Sequence, residues 1–179
     1  RGSQNLAHRL GVNAFFCALV EVSRAHEGHC LITWRPEHRV RTRAAEVKPD
    51  GFGRYLHPDG SCEFYMEYGR GTEAFGALST KLEGYLRLAI GWTKEGDLTG
   101  FPNLLTIVPE GVREGEVGSA LRHAIGRLSV GGSLTTSFPL YVASEDSLTQ
   151  LGVLGPVWRH IATDSDRLSL VDLPARLAE

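Results

Sequence analysis

The chain has 179 residues, 42% of them hydrophobic, and a net charge of -2 at neutral pH. That is enough apolar material for one well-cored domain and too little for two, and the near-neutral balance excludes a global field that would drive indiscriminate nucleic-acid binding. Three cysteines without regular spacing (Cys17, Cys30, Cys62) argue for buried thiols in a reducing compartment, so the expected location is the cytoplasm.

Taken in chain order, residues 5–26 predict an amphipathic helix, with Leu6, Leu10, Phe15, Cys17, Ala18, Leu19 and Val22 on one stripe and Gly28 as the stop. No uninterrupted apolar run approaches the roughly 18 residues of a membrane span. His26, His29 and Cys30 lack the second ligand pair that a structural zinc site wants, and read as a polar helix end. Residues 30–34 predict a short strand. The stretch from 35 to 48 has no period and reads as a loop, in which Arg35, Arg39, Arg41, Arg43 and Lys48 face only Glu37 and Glu46. This is either a solvated loop or a rim that contacts phosphates.

The clearest unit follows. Residues 51–56 and 62–67 flank the turn text His57-Pro58-Asp59-Gly60, which predicts a β-hairpin. Asp59 sits at the tip and is structural. Asp50 lies at the far end of the first strand, so the crossing brings it to the same edge as Glu67. Thr72 can cap a helix over residues 73–90, and Phe75, Leu78, Leu82, Tyr85, Leu86 and Ala89 form its buried stripe. Lys81 falls about 40° from Tyr85 on that helix, close enough for its stem to run along the sheet toward the strand ends. A strand at 104–108, a helix at 112–128, a strand at 138–143, a short helix at 144–151 and a short strand near 169–171 complete the order. The whole predicts a single α/β domain, a mixed sheet with flanking helices in a three-layer-like arrangement.

Asp50, Glu67 and Lys81 are the chemistry-bearing residues of this pattern. Two carboxylates can hold a hard divalent cation, and a lysine can steady a developing oxyanion or position the attacking water, as a metal-dependent phosphodiesterase requires. The isolated glycine pairs Gly51-x-Gly53 and Gly69-x-Gly71 are not a dinucleotide cradle. No nucleophile-elbow pentapeptide supports a hydrolase triad. Tyr55, Tyr65, Trp92 and Trp158 could stack on bases, but as strand and helix residues they read first as core.

The order of a leading helix, a three-strand meander carrying Asp and Glu, a helix and a further strand resembles the core of the PD-(D/E)-x-K nuclease superfamily, with its restriction-endonuclease-like fold (α-β-β-β-α-β-α-β). More narrowly, the chain is similar to the bacterial replication-relaxation family, associated with plasmid replication and DNA relaxation. The matching text is His8-x-Leu10-x-Val12-Asn13, Lys48-Pro49-Asp50-Gly51, residues 67–73, Lys81-Leu82-x-x-Tyr85 and Gly155-Pro156-Val157-Trp158. The resemblance implies a DNA-binding or DNA-processing protein of a plasmid or mobile element, with DNA as partner and room for a homodimer. In a catalytic version Mg²⁺ or Mn²⁺ would sit on Asp50 and Glu67, with Glu21 as a further carboxylate and Lys81 and Arg70 as cations. A winged-helix segment is expected upstream, and the start at Arg1 reads as a fragment. One position departs from the pattern: where the superfamily has a lysine and the narrower family an acid, this chain has Gly69. That gap points toward a degenerate site that binds without cutting. The competing expectation from another class is a non-catalytic interaction or regulatory α/β domain for a protein partner or small ligand.

Overall fold

The computed structural model describes residues 2–40, 42, 47–69, 74–92, 98, 100–128, 136–163 and 165–175, without the side chains of residues 2–5 and 112. Helix α1 (Gly2–Ala25) leads into a meander of β1 (Cys30–Pro36), β2 (Gly51–His57) and β3 (Gly60–Tyr68). Then follow α2 (Phe75–Trp92), β4 (Asn103–Val108), α3 (Glu114–Leu128), β5 (Leu140–Ser144), α4 (Glu145–Leu151) and the short β6 (Arg159–His160). The six strands form one mixed sheet in sequential order, β1-β2-β3-β4-β5-β6. The meander and β6 pair antiparallel, while β3, β4 and β5 run parallel.

Parallel neighbours need crossovers, and two crossovers of one hand moving in one direction put their helices on the same face. Accordingly α2 and α3 pack side by side over one face, where Tyr65, Leu104, Val108, Leu140 and Val142 meet Leu82, Tyr85, Leu86, Val117 and Leu121. The opposite face belongs to α1 and the C-terminal segment, where Val12, Phe15, Phe16 and Leu19 meet Phe64, Met66, Leu105, Ile107 and Trp158. β4 and β5 are buried along their whole length, as strands covered on both faces must be. The glycine pair of β2 has a packing reason: a Cβ at Gly53 would lie 2.3 Å from the Phe64 ring, and one at Gly51 would lie 2.9 Å from Phe16. Buried Glu114 ties α3 to the C-terminal segment through Arg159 at 3.0 Å and Arg167 at 2.9 Å.

The expected elements appear in the expected order, with several corrections. Residues 169–171 are not a strand. Leu170–Asp172 is a 3-10 turn, and the bridge sits earlier, between Trp158 and Leu168. Arg35 is not in a loop but in β1, opposite Phe52 and with its guanidinium 5.7 Å from that ring, and Glu37–Arg39 forms a 3-10 turn. Strand pairing with β2 extends β1 further than its apolar text suggests. Tyr55, Tyr65 and Trp158 are core residues. Over Leu6–Ala25, α1 is long and apolar enough to cross a membrane by length and composition alone, at mean hydropathy 1.2. A count of uninterrupted apolar residues misses this, because scattered polar residues leave the average high. The Thr72 cap, like Arg41, Arg43 and Arg70, lies outside the described residues.

Candidate functional site

Asp50 ends the segment that leads into β2, next to buried Pro49. Antiparallel pairing sets Gly51 against Met66, so Asp50 arrives beside the last residues of β3. Its Oδ2 accepts the backbone N–H of Tyr68 at 2.9 Å, and its Oδ1 lies 3.0 Å from His8 Nε2 on α1. His8 Nδ1 is buried with no hydrogen-bond partner in the described structure, which fits an imidazole whose proton is on the nitrogen that faces Asp50.

Alternation along β3 turns Phe64 and Met66 toward α1, and Tyr65 and Glu67 toward α2. Glu67 is buried there. Its Oε1 accepts the Tyr85 hydroxyl at 2.5 Å, and Lys81 Nζ forms an ion pair with its Oε2. Lys81 and Tyr85 stand one helical turn apart, and that spacing aims both donors at one carboxylate. Asp50, Glu67 and Lys81 thus come from a loop, a strand and a helix to one end of the sheet. The Lys81 charge acts on both carboxylates.

Tyr68 faces the other way. Its hydroxyl donates to Glu145 Oε1 at 2.7 Å, and its ring meets His8 edge-on at 5.9 Å. α1 can come this close only because residue 11 is glycine, since a Cβ there would sit 2.2 Å from the Tyr68 ring.

The two acids are driven in opposite directions. For Glu67, burial is the largest influence and pushes the carboxyl up to about 8; Lys81 opposes this, and the neighbouring Asp50 charge adds to it. For Asp50, burial again pushes up, but the His8 hydrogen bond, the Lys81 charge and the Tyr68 amide together outweigh it and hold the carboxyl below its ordinary value.

Two separate clefts flank this sheet end. One, lined by Leu78, Leu82, Val108 and Val117 with Glu67, Lys81 and Tyr85 at its base, opens at the carboxyl ends of the parallel strands β3 and β4. The other, on the α1 side, is polar and lined by His8, Arg9, Asn13, Glu37, His38 and Asp50. Around the second, Arg9, Arg35, His38, Arg39 and Lys48 are exposed. The amide of Glu37 donates to the Asp50 carbonyl at 3.1 Å, which holds the Arg35–Arg39 segment beside Asp50.

Glu21 is not brought into the cluster: it is exposed on α1, thirteen residues and about 20 Å of helix rise beyond His8. For one Mg²⁺ or Mn²⁺ ion shared by the two acids, the residues do not fit as arranged, because Asp50 lines the polar cleft and Glu67 the apolar one. Each of the four oxygens of Asp50 and Glu67 already faces a protein donor or cation. Among the described residues no three His, Cys, Asp or Glu side chains gather to hold an ion.

His8, Tyr68, Tyr85 and Glu145 were not singled out as site residues by sequence reasoning. His8 and Tyr85 do stand in the text that carries the family resemblance, where the apolar stripe claimed Tyr85 for the core. Glu145 has no signal of its own. A family model described as replication-relaxation matches residues 1–104, more than half of the chain, from α1 into β4, and so includes Asp50, Glu67 and Lys81. No curated protein and no solved structure matches the chain.

Proposed function

The chain belongs to the replication-relaxation family, and from that premise we propose that it binds DNA in the replication or relaxation of a bacterial plasmid or other mobile element, on a PD-(D/E)-x-K-like frame. One observation carries the reading: Asp50, Glu67 and Lys81 converge from three elements at one sheet end, beside a rim of exposed cations. A meander bearing the two acids, followed by a helix bearing the lysine, is the arrangement in which a nuclease-like core meets a phosphodiester. Arg9, Arg35, Arg39 and Lys48 supply the charge that a backbone needs, and Lys81 pairs directly with Glu67.

Binding leads over cutting in this proposal. The carboxylates are held by protein donors, and position 69 supplies neither the lysine nor the acid of the wider pattern. Of the two clefts, the apolar one favours the competing reading, a domain that takes a small ligand or a partner side chain.

The test is duplex and supercoiled plasmid binding across a salt series. Log affinity should fall against log salt, and Arg39→Ala and Lys48→Ala should each lower the slope by about 1 without changing sequence preference. Supercoiled plasmid should stay intact in Mg²⁺ or Mn²⁺. Binding unchanged by salt, or no binding at all, rejects the DNA reading. Nicking that Asp50→Asn abolishes would make the site catalytic.

A further inference from the structure

At the end of α1 the sequence sets His26 and His29 three residues apart, with no second ligand pair to complete a zinc site. The structure turns that spacing into a geometry. The His29 amide donates to the His26 carbonyl at 3.3 Å, and Gly28 takes the left-handed φ of 77° that closes this turn. The two imidazoles are thereby brought together, with ring centroids 5.5 Å apart. Two imidazoles on one tetrahedral zinc ion stand about 5 Å apart by centroid, given Zn–N bonds of about 2 Å. The pair is already spaced for one ion.

The ring nitrogens are sorted as well. His26 Nδ1 lies 3.0 Å from the Val22 carbonyl, which can only accept, so the neutral ring carries its proton there and leaves the Nε2 lone pair open. His29 Nδ1 lies 3.1 Å from the Tyr55 hydroxyl, which can accept its proton in the same way. Histidines that ligate metals hold their other nitrogen by such partners. His26 is exposed and His29 partly so, at the carbonyl pole of α1, where a cation is favoured. Cys30 does not join them, because its register with Leu56 turns it to the sheet face opposite Tyr55. Among the described residues no third ligand gathers, so one chain supplies half a site.

We propose that His26 and His29 of one chain share a single Zn²⁺ ion with the same pair of a second copy, four imidazoles around a two-fold axis. The axis through the ion supplies the missing ligand pair without calling on any other residue. Imidazole donors select a borderline ion such as Zn²⁺ over Mg²⁺ or Mn²⁺. This bridge lies near the hairpin tip, the length of β2 and about 20 Å from Asp50, and stands apart from the DNA reading.

The experiment is sedimentation velocity of the untagged whole chain in EDTA and in micromolar Zn²⁺, with the bound zinc counted after dialysis. Wild type should be a monomer in EDTA and a dimer in Zn²⁺, holding one zinc per two chains. The His26 side chain bonds only to its own helix, so His26→Ala should keep the circular dichroism of wild type. It should stay monomeric and bind zinc at least about tenfold more weakly, the minimum expected when even an outer partner of a metal site is lost. His29→Ala should do the same, while His123→Ala, which removes an exposed histidine elsewhere, should dimerise like wild type. One zinc held per monomer, no response to zinc, or a dimer that persists in EDTA or in His26→Ala would each overturn the proposal.

Discussion

Toward α1, Asp50 receives the Tyr68 amide and the His8 ring at the edge of a polar cleft; toward α2, Glu67 receives Tyr85 and Lys81 at the base of an apolar one. Both acids are removed from bulk water, so burial raises both. Only Asp50 has enough nearby polarity to reverse the effect: the His8 hydrogen bond acts most strongly, then the Lys81 charge, then the Tyr68 amide, which stabilises the anion and cannot turn away. The donors to Glu67 are side chains, and it lies deeper. The two faces of one sheet end therefore hold an anion and a group poised near neutrality about one strand apart. Neighbouring acids whose environments push them in opposite directions are a recurring feature of functional sites.

The largest expected effect that tests this comparison is on the pH dependence of stability. Glu67 has a folded pKa raised from 4.5 to about 8, so the stability it supplies is complete below pH 4.5 and is lost as the pH rises through 8. Asp50 has a lowered folded pKa, so its contribution is present above its ordinary 3.8 and is lost as the pH falls through the lowered value. Urea unfolding between pH 4 and 9 should show the Glu67 loss, a few kcal/mol at roughly 1.4 kcal/mol per pKa unit. Glu67→Gln should fold and flatten that slope, whereas Asp50→Asn should reduce it only in part, by removing the neighbouring charge, and should alter the acid limb as well. Equal slopes in wild type and Glu67→Gln would mean that the two faces do not differ.

A smaller effect separates the faces by hydroxyl deletion. Tyr85→Phe strips a buried carboxylate of a donor that water cannot replace, and should cost about 1–3 kcal/mol. Tyr68→Phe removes a hydrogen bond to the half-buried Glu145, which water can reach, and should cost about 1 kcal/mol. Chemical denaturation of both variants checks this, and an equal or reversed ranking would contradict the deeper placement of Glu67.

What the residues disclosed in advance follows the same division. The hairpin was legible because its period, its Pro-Asp-Gly tip and its length agree, and antiparallel pairing then puts Asp50 next to the end of β3 whatever the rest of the fold does. The helical position of Lys81 allowed the reach to Glu67 that the structure shows. The α1 contribution was not legible. A histidine on a helix has no partner until the helix is docked, and the docking depends on Gly11, Gly51 and Gly53 clearing space for Tyr68, Phe16 and Phe64. Three such clearances between distant segments leave no period to read. The 3-10 turn at Leu170–Asp172 reads as a strand for a related reason: Leu170 and Leu173, which follows the turn, are buried against a sheet they do not join.

The smallest expected effect concerns Gly69, the position at which the chain departs from the pattern it otherwise follows. The departure has a local cause. The Gly69 amide donates to the Ile107 carbonyl at 2.7 Å, and a Cβ at residue 69 would sit 3.1 Å from that same oxygen. A side chain therefore needs β3 and β4 to part by a few tenths of an ångström where they are still hydrogen-bonded, against a backbone atom that cannot rotate aside. Gly69→Ala should cost under about 1 kcal/mol, near the low end of overpacking, because the strand end can yield slightly and the alanine chain loses less entropy on folding. Gly69→Lys should behave the same in stability and should leave Lys81 on Glu67, since the carboxylate already has its cation and a second ammonium would have to displace it. Plasmid nicking by Gly69→Lys in Mg²⁺, where wild type shows none, would mean instead that the missing strand lysine alone separates this chain from a working nuclease, and that the α2 lysine is no substitute.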